Sequence, residues 1–243
     1  LAPKRASDAP YDGLVNYAYH IDTIKLGRYL RDLGKQRGVH HVVDLVTDTG
    51  RDEAGNITHV HTEEHGDIAG DLFIDCSGFR ALLLNQVLEE PFRSFSDVLF
   101  NDNAVAMRVP NPEGQRDIRP FTTCSAQEAG WIWNIPLHQR TGVGHVYSSA
   151  HIDKDAAEQA LRDYVGPANE GLEANHIAMR IGRSERAWVN NVVSIGLSGG
   201  FIEPLESTGI YLVELGLTLL RDHFPTKSTM ATFAKRYNRH MAS

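Results

Sequence analysis

The chain has 243 residues, 42% apolar and 23% charged, enough for one sizeable core or two modest ones and too apolar for wholesale disorder. Lys and Arg number 24 against 31 Asp and Glu, a net charge of −7 that disfavours phosphate-backbone binding and with it a nucleic-acid partner. Two cysteines, Cys76 and Cys124, exclude a disulfide framework and a four-thiolate zinc site and fit a reducing, cytoplasmic setting.

The chain opens at Leu1 with a polar, proline-bearing lead (Pro3, Pro10, Gly13), which reads as a protein whose start is missing or processed. The first strong pattern predicts a helix over Thr23 to Leu33. Leu26, Tyr29, Leu30 and Leu33 recur at helical spacing, Asp22 can cap the start, and Gly38 lies beyond the end. Strand-like runs follow at Val39 to Val46, Ile57 to Thr62 and Asp71 to Asp75, punctuated by Gly50, Gly55-Asn56 and Gly66. A small-residue turn, Cys76-Ser77-Gly78, closes this part.

The middle reads differently. Ala104 to Val109, Phe121 to Ser125, Trp131 to Pro136 and Gly144 to Ser149 are short strand candidates between turn residues, the pattern of a mostly antiparallel sheet. A helix over Lys154 to Val165 follows, capped by Asp153, with Ala157, Ala160, Leu161 and Tyr164 as its apolar stripe. The last third returns to strand-then-helix: a strand at Val192 to Ile195, a loop Gly196-Leu197-Ser198-Gly199-Gly200, a long helix from Thr208 to His223, and a final helix from Ser228 to Met241. The most apolar stretch, Ile210 to Leu220, is about half the roughly 20 residues a membrane span needs, and Glu214 interrupts it, so no membrane role is expected.

Three segments can carry chemistry. The run from Ser194 through Gly196-Leu-Ser-Gly-Gly200 to Glu206-Ser-Thr-Gly-Ile210 delivers a glycine turn and then a helix start. Free N–H groups at Thr208 and Gly209 would face out of that helix N-terminus, where the dipole favours an anion. The same residues equally suit an ordinary strand–helix connection with Glu206 and Ser207 as caps. No Gly-Lys-Ser/Thr follows, and no Gly-x-Gly-x-x-Gly is present. The second segment, Asp71 to Arg80, brings an apolar strand to a small turn that leaves room beside a sheet end. In the third, Trp131 and Trp133 share one strand face and can wall an aromatic pocket or simply fill a core.

The histidines carry less. His59, His61 and His65 have ligand-like spacing but sit in a Gly- and acid-rich hairpin without a supporting cysteine, so no metal is expected. His40 and His41 are read as alternating on a strand. His20 and Asp22 lack a Gly-x-Ser-x-Gly elbow, and Cys76 has no nearby base, which leaves it inert.

Together the segments resemble the flavin-dependent halogenases, in their tryptophan-halogenase branch. Trp131-x-Trp133-x-Ile135-Pro136 is similar to that family's W-x-W-x-I-P signature. Asp75-Cys-Ser-Gly-Phe-Arg80, Met179-Arg-Ile-Gly-Arg183 and Phe201-Ile-Glu-Pro-Leu-Glu-Ser-Thr-Gly-Ile210 are similar in the same order. The resemblance implies a flavin monooxygenase-like α/β fold: a mixed sheet with flanking helices, here a partial domain. Within it, residues 14–90 would form part of a FAD-binding module, 91–190 a substrate-side sheet plus helix, and 191–243 the FAD- and halide-binding loop with its helices.

The implied activity is chlorination or bromination of tryptophan or another indole. The electrophile is hypohalous acid, made from a flavin hydroperoxide and halide. Reduced FAD comes from a separate flavin reductase, and dioxygen is co-substrate. By the resemblance, Thr208 and Gly209 hold the halide, and Glu206 positions the electrophile or takes up the ring proton. Ser207 lines the tunnel, and Leu197 and Ile210 line the flavin. Val46 contacts the adenine end, Gly78 gives the cofactor room, and Trp131, Trp133 and Glu206 border the substrate. A homodimer is compatible with this reading. Three family features have no counterpart in these 243 residues: the glycine fingerprint, the catalytic lysine and the C-terminal helical region that closes over the substrate. Lys4, Lys25, Lys35, Lys154, Lys227 and Lys235 all fall outside the motifs. The chain is therefore expected to be the central part of a longer halogenase and inactive alone. Another flavin-dependent monooxygenase and a non-catalytic remnant are the alternatives.

Overall fold

The computed structural model describes residues 18–114, 118–222 and 224–242. Helix α1 (Thr23–Gln36) begins where Asp22 accepts the amides of Ile24 and Lys25 at 3.1 and 3.2 Å. Strands β1 (Val46–Arg51), β2 (Ile57–Thr62), β3 (Gly66–Ala69) and β4 (Phe73–Asp75) follow, then β5 (Phe92–Ser94), β6 (Asn103–Pro110), β7 (Thr123–Gln127), β8 (Gly130–Pro136) and β9 (Arg140–Tyr147). Helix α2 (Lys154–Val165) leads to β10 (Asn175–Ala178), β11 (Gly182–Ser184), β12 (Trp188–Val189), β13 (Val192–Ser194) and β14 (Gly200–Phe201). Helices α3 (Thr208–Asp222) and α4 (Met230–Ala242) complete the described chain.

These strands form four sheets. Strands β1-β2-β3 make an antiparallel meander. The largest sheet has order β10-β6-β9-β8-β7 and is antiparallel throughout, as the turn-punctuated middle of the sequence predicts. Helix α2 covers it, with Ala157 and Leu161 buried against Val105, Met107, Ile132 and Val143. Inside this layer His145 is fully buried, its Nδ1 3.0 Å from the Ala157 carbonyl. A third sheet pairs β14-β11-β5. The fourth, β12-β13-β4, contains the parallel ladder in which Val192 to Ser194 lie beside Phe73 to Asp75. A mixed α/β architecture with flanking helices is therefore observed.

Helices α3 and α4 pack behind the fourth sheet, where Leu220 and Tyr237 join Trp188, Val193 and Ile195 in one core. Gly216 allows this approach, since a Cβ there would lie 2.9 Å from the Tyr237 hydroxyl. Burial, with Cys76 nearby, pushes the Tyr237 phenol up to about 12.

Several expectations need correction. Residues 39–45 form no strand, and the first strand starts at Val46 and runs through Gly50 to Arg51. His40 and His41 therefore do not alternate on a strand; both are exposed. The apolar run Val39 to Val46 lacks a pairing partner along most of its length, and Val39, Val43 and Leu45 are exposed. Helix α4 starts two residues later than expected, after a turn at Thr226–Thr229 closed by the Thr229 side chain. The expected end of α3 at His223 lies outside the described residues, as do residues 14–17.

Candidate functional site

Two loops meet at one end of the parallel ladder, and a third leads into α3. The first is the turn after β4. Its anchor is Asp75, buried at 2% exposure, whose carboxylate accepts the Ser77 amide and hydroxyl at 2.9 and 2.6 Å and the Leu83 and Leu84 amides at 2.9 and 3.0 Å. Four donors on one carboxylate replace the water it loses on burial. They also fix a wide helical turn over Leu82–Val87, in which Gln86 and Leu88 donate to carbonyls five residues back. Gly78 sits before it, in the tight turn Gly78–Arg80, at φ +70°, and a Cβ there would meet no atom within 4 Å.

The second loop is Gly196–Ser198. The Ser198 hydroxyl donates to the Asp75 and Ile195 carbonyls, and the Ile195 amide donates to the Asp75 carbonyl at 3.0 Å. The loop is thereby stitched to the first turn. Phe79 and Phe201 meet edge-to-face, with centroids 5.6 Å apart. Gly196, at φ +73°, lets the loop settle on α3, with Val213 3.3 Å from where a Cβ would stand. Leu197 points outward at 39% exposure.

The third loop leads into α3. Pro204–Glu206 form a tight turn, and Ser207 holds the left-handed region at φ +55° while its amide donates to the Pro204 carbonyl at 3.0 Å. Helix α3 then starts at Thr208, so the Thr208 and Gly209 amides have no acceptor within the helix. A Cβ on Gly209 would meet open space, and Ile210 is 55% exposed. Glu206 contributes backbone to the turn; the role expected of its side chain lies outside the described residues.

Of the predicted residues, Ser207, Thr208, Gly209 and Ile210 are consecutive at the start of α3, while Gly78 and Leu197 lie in the two turns that Asp75 and Ser198 stitch together. Val46 is not among them: it lies on β1, paired with Thr62 in another sheet. Trp131 and Trp133 do share a face of β8, edge-to-face with centroids 6.1 Å apart. Trp133 lies over Gly144 of the next strand and lines an open groove of about 840 Å³ with Ile24, Met107 and Arg140. The Trp131 indole N–H instead donates to the Glu203 carboxylate.

Sequence reasoning passed over Glu203. Its Oε1 also takes the Asn101 amide at 3.3 Å, and its Oε2 takes the Leu205 amide at 3.1 Å. The one signal in the sequence was its place before Pro204, where a carboxylate caps a helical turn.

Cys76 stays a thiol, because partial burial and the Asp75 carboxylate push it up. The hairpin histidines pair with carboxylates: His61 Nδ1 is 2.6 Å from Asp67, and His65 Nδ1 is 2.7 Å from Asp44. Burial alone would raise Asp44. His65 and the Leu45 and Glu64 amides outweigh it and hold the carboxyl well below the usual range. No cluster of three or more metal-ligating side chains occurs among the described residues, and no described helix is long and apolar enough to cross a membrane.

The sequence profile of the tryptophan halogenases matches residues 2–243. The chain belongs to the tryptophan halogenase family. It is 51% identical over 227 residues to the tryptophan 6-halogenase SttH of Streptomyces toxytricini, covering 93% of this chain and 43% of that protein. It is 51% identical over 238 residues to the 7-chloro-L-tryptophan 6-halogenase KtzR of Kutzneria sp. (strain 744), covering 98% of this chain and 46% of that one. The solved structure of SttH superposes with a TM-score of 0.89 at 50% identity, over 92% of this chain and 44% of that one. The chain thus spans somewhat under half the length of the curated relatives it matches.

The residues present suit one side of a flavin and a halide. The amides at the start of α3 favour an anion, Gly209 leaves space beside them, and Leu197 and Ile210 offer uncovered apolar side chains to a ring. No Gly-x-Gly-x-x-Gly run for a pyrophosphate occurs in the sequence.

Proposed function

We propose that this chain supplies the halide-binding loop and one wall of the flavin cleft of a flavin-dependent halogenase acting on tryptophan or another indole. The observation that carries this reading is the open N-terminus of α3 at Thr208 and Gly209 in a chain of this family.

Bound reduced FAD, delivered by a separate flavin reductase, supplies the activation of dioxygen that makes halide electrophilic. The chain's own residues do the rest. The Thr208 and Gly209 amides hold chloride or bromide by hydrogen bonding and helix dipole. Leu197 and Ile210 exclude water from the ring they face, and Gly78 keeps the backbone close without a side chain in the way. Glu206 and Ser207, which precede Thr208 in the chain, guide the electrophile, with Glu206 accepting the proton lost from the substrate ring. Trp131 and Trp133 border the substrate side, and Val46 serves the adenine end. In this division the stretches 14–90 and 191–243 are assigned to the cofactor and 91–190 to the substrate. The enzyme works in the cytoplasm.

The test is a bromide titration of the ¹⁵N-labelled chain, with gluconate at equal ionic strength as the control. Saturable shifts at the Thr208 and Gly209 amides under bromide alone are expected. Substituting Gly209→Ala should weaken them while leaving the fold intact, because its Cβ meets no protein atom and enters only the space assigned to the anion. Equal responses to bromide and gluconate would remove the halide assignment.

A further inference from the structure

We propose that Glu203 is a positioning residue: its carboxylate ties the turn that leads into α3 to the Trp131 indole of β8, holding both motifs in one frame. The proposal rests on the reading of the α3 N-terminus as the halide site and adds what keeps that site in place.

Glu203 and Trp131 are 72 residues apart in sequence. The indole N–H is a donor only, so once half-buried it needs an acceptor. Glu203 provides one from a loop that has no backbone ladder to β8. The same Oε1 takes Asn101 Nδ2, and Oε2 takes the Leu205 amide inside the turn. Asn101 is itself held close: neighbouring Asp102 accepts the Ser149 amide and hydroxyl at 2.8 and 2.6 Å, at the end of the five-stranded sheet. One carboxylate therefore carries position from that sheet, through Trp131 and Asn101, to a turn that ends two residues before Thr208.

A simple capping role would need only the Leu205 contact. The two roles separate with Glu203→Asp. Aspartate caps helical turns well but is one methylene too short to keep the Trp131 and Leu205 contacts together. Glu203→Gln keeps one acceptor oxygen of the two and should fall between wild type and Glu203→Asp.

Amide hydrogen exchange and the Trp131 indole NMR resonance decide. Glu203→Asp should leave the Leu205 amide protected and shift the Trp131 indole resonance. It should speed exchange at Ser207 by about tenfold, the scale of one lost charge-assisted hydrogen bond. Trp131→Phe should speed the same Ser207 amide, although it alters a different strand. Protected amides in β8 and β9 verify folding in each variant. Normal Ser207 exchange in folded Glu203→Asp and Trp131→Phe would overturn the proposal and leave Glu203 a cap. The bromide titration of wild type is read separately: if bromide fails to bind while the exchange pattern appears, the positioning role stands and only the halide assignment goes.

Discussion

The Asn191 side chain treats Ile57 as a strand partner would: its Oδ1 accepts the Ile57 amide at 2.9 Å and its Nδ2 donates to the Ile57 carbonyl at 2.8 Å. The two are 134 residues apart, and both are buried. One amide side chain thus satisfies both backbone groups where the β1-β2-β3 meander meets the turn before β13. Asn191→Ala leaves a donor and an acceptor buried without partners. A loss of about 2–4 kcal/mol is expected, at roughly 1–3 per group with partial rescue by water. Urea unfolding checks it. A loss below 1 kcal/mol would mean the meander is not held by this contact.

Gly182 explains the glycine in Met179-Arg-Ile-Gly-Arg183. It lies at φ +139°, where only glycine is comfortable, and a Cβ would stand 2.2 Å from the Arg93 carbonyl oxygen. The Phe92 ring stands 2.8 Å from the same point, but the closest atom is backbone of the paired strand and cannot swing aside. Gly182→Ala should cost about 3 kcal/mol or more and part β11 from β5. Thermal unfolding measures the cost, and amide exchange at Ser94 reports the ladder.

Ser207 occupies the left-handed region at φ +55°, next to the proposed halide amides. That conformation costs a non-glycine residue about 1–2 kcal/mol, against about 0.5–1 for the chain entropy of glycine. Ser207→Gly should therefore stabilise the chain by about 0.5–1 kcal/mol, and Ser207→Val should destabilise it. A stabilised glycine variant with reduced halogenation, in the full-length parent, would show that the strain serves the site rather than the fold.

Acid should loosen α2 from β10. The Arg162 side chain, then His176, hold the Glu158 carboxyl below its usual range. Its folded value lies below the unfolded one, so its stabilisation is complete above the unfolded pKa of about 4.3 and fades as pH falls through the lower folded value. Wild type should lose thermal stability between about pH 4.5 and 3 more steeply than Glu158→Gln. Parallel curves would assign the acid sensitivity elsewhere, with Asp44 the next candidate because its carboxyl is also held low.

What the sequence discloses here follows its local patterns. The caps Asp22 and Asp153, and the apolar spacing of α1 and α2, are local, and both helices start where those residues predict. The antiparallel middle was legible because its strands alternate with turns. The glycine loop and α3 were legible because Gly196, Ser207 and Thr208 follow one another in the chain. Val39 to Val46 misled because apolar β-branched residues signal burial or strand without saying whether a partner will pair with them. Strands β5, β11 and β14 run two or three residues, too short for any period to register. Glu203 was invisible because its meaning lies in Trp131, a partner that only the fold supplies.

The stitch between Ser198 and Asp75 joins residues 123 apart. Closing so long a loop costs entropy before any contact returns it, whereas the β8–β9 hairpin closes over four or five residues. Refolding should therefore proceed from the antiparallel sheet outward. The two stitched turns, and the helix that follows the second, come together last, after the chain has already committed to its fold. A protein built this way acquires its chemistry as the final act of folding, and mild denaturation should silence the site while most strands still stand.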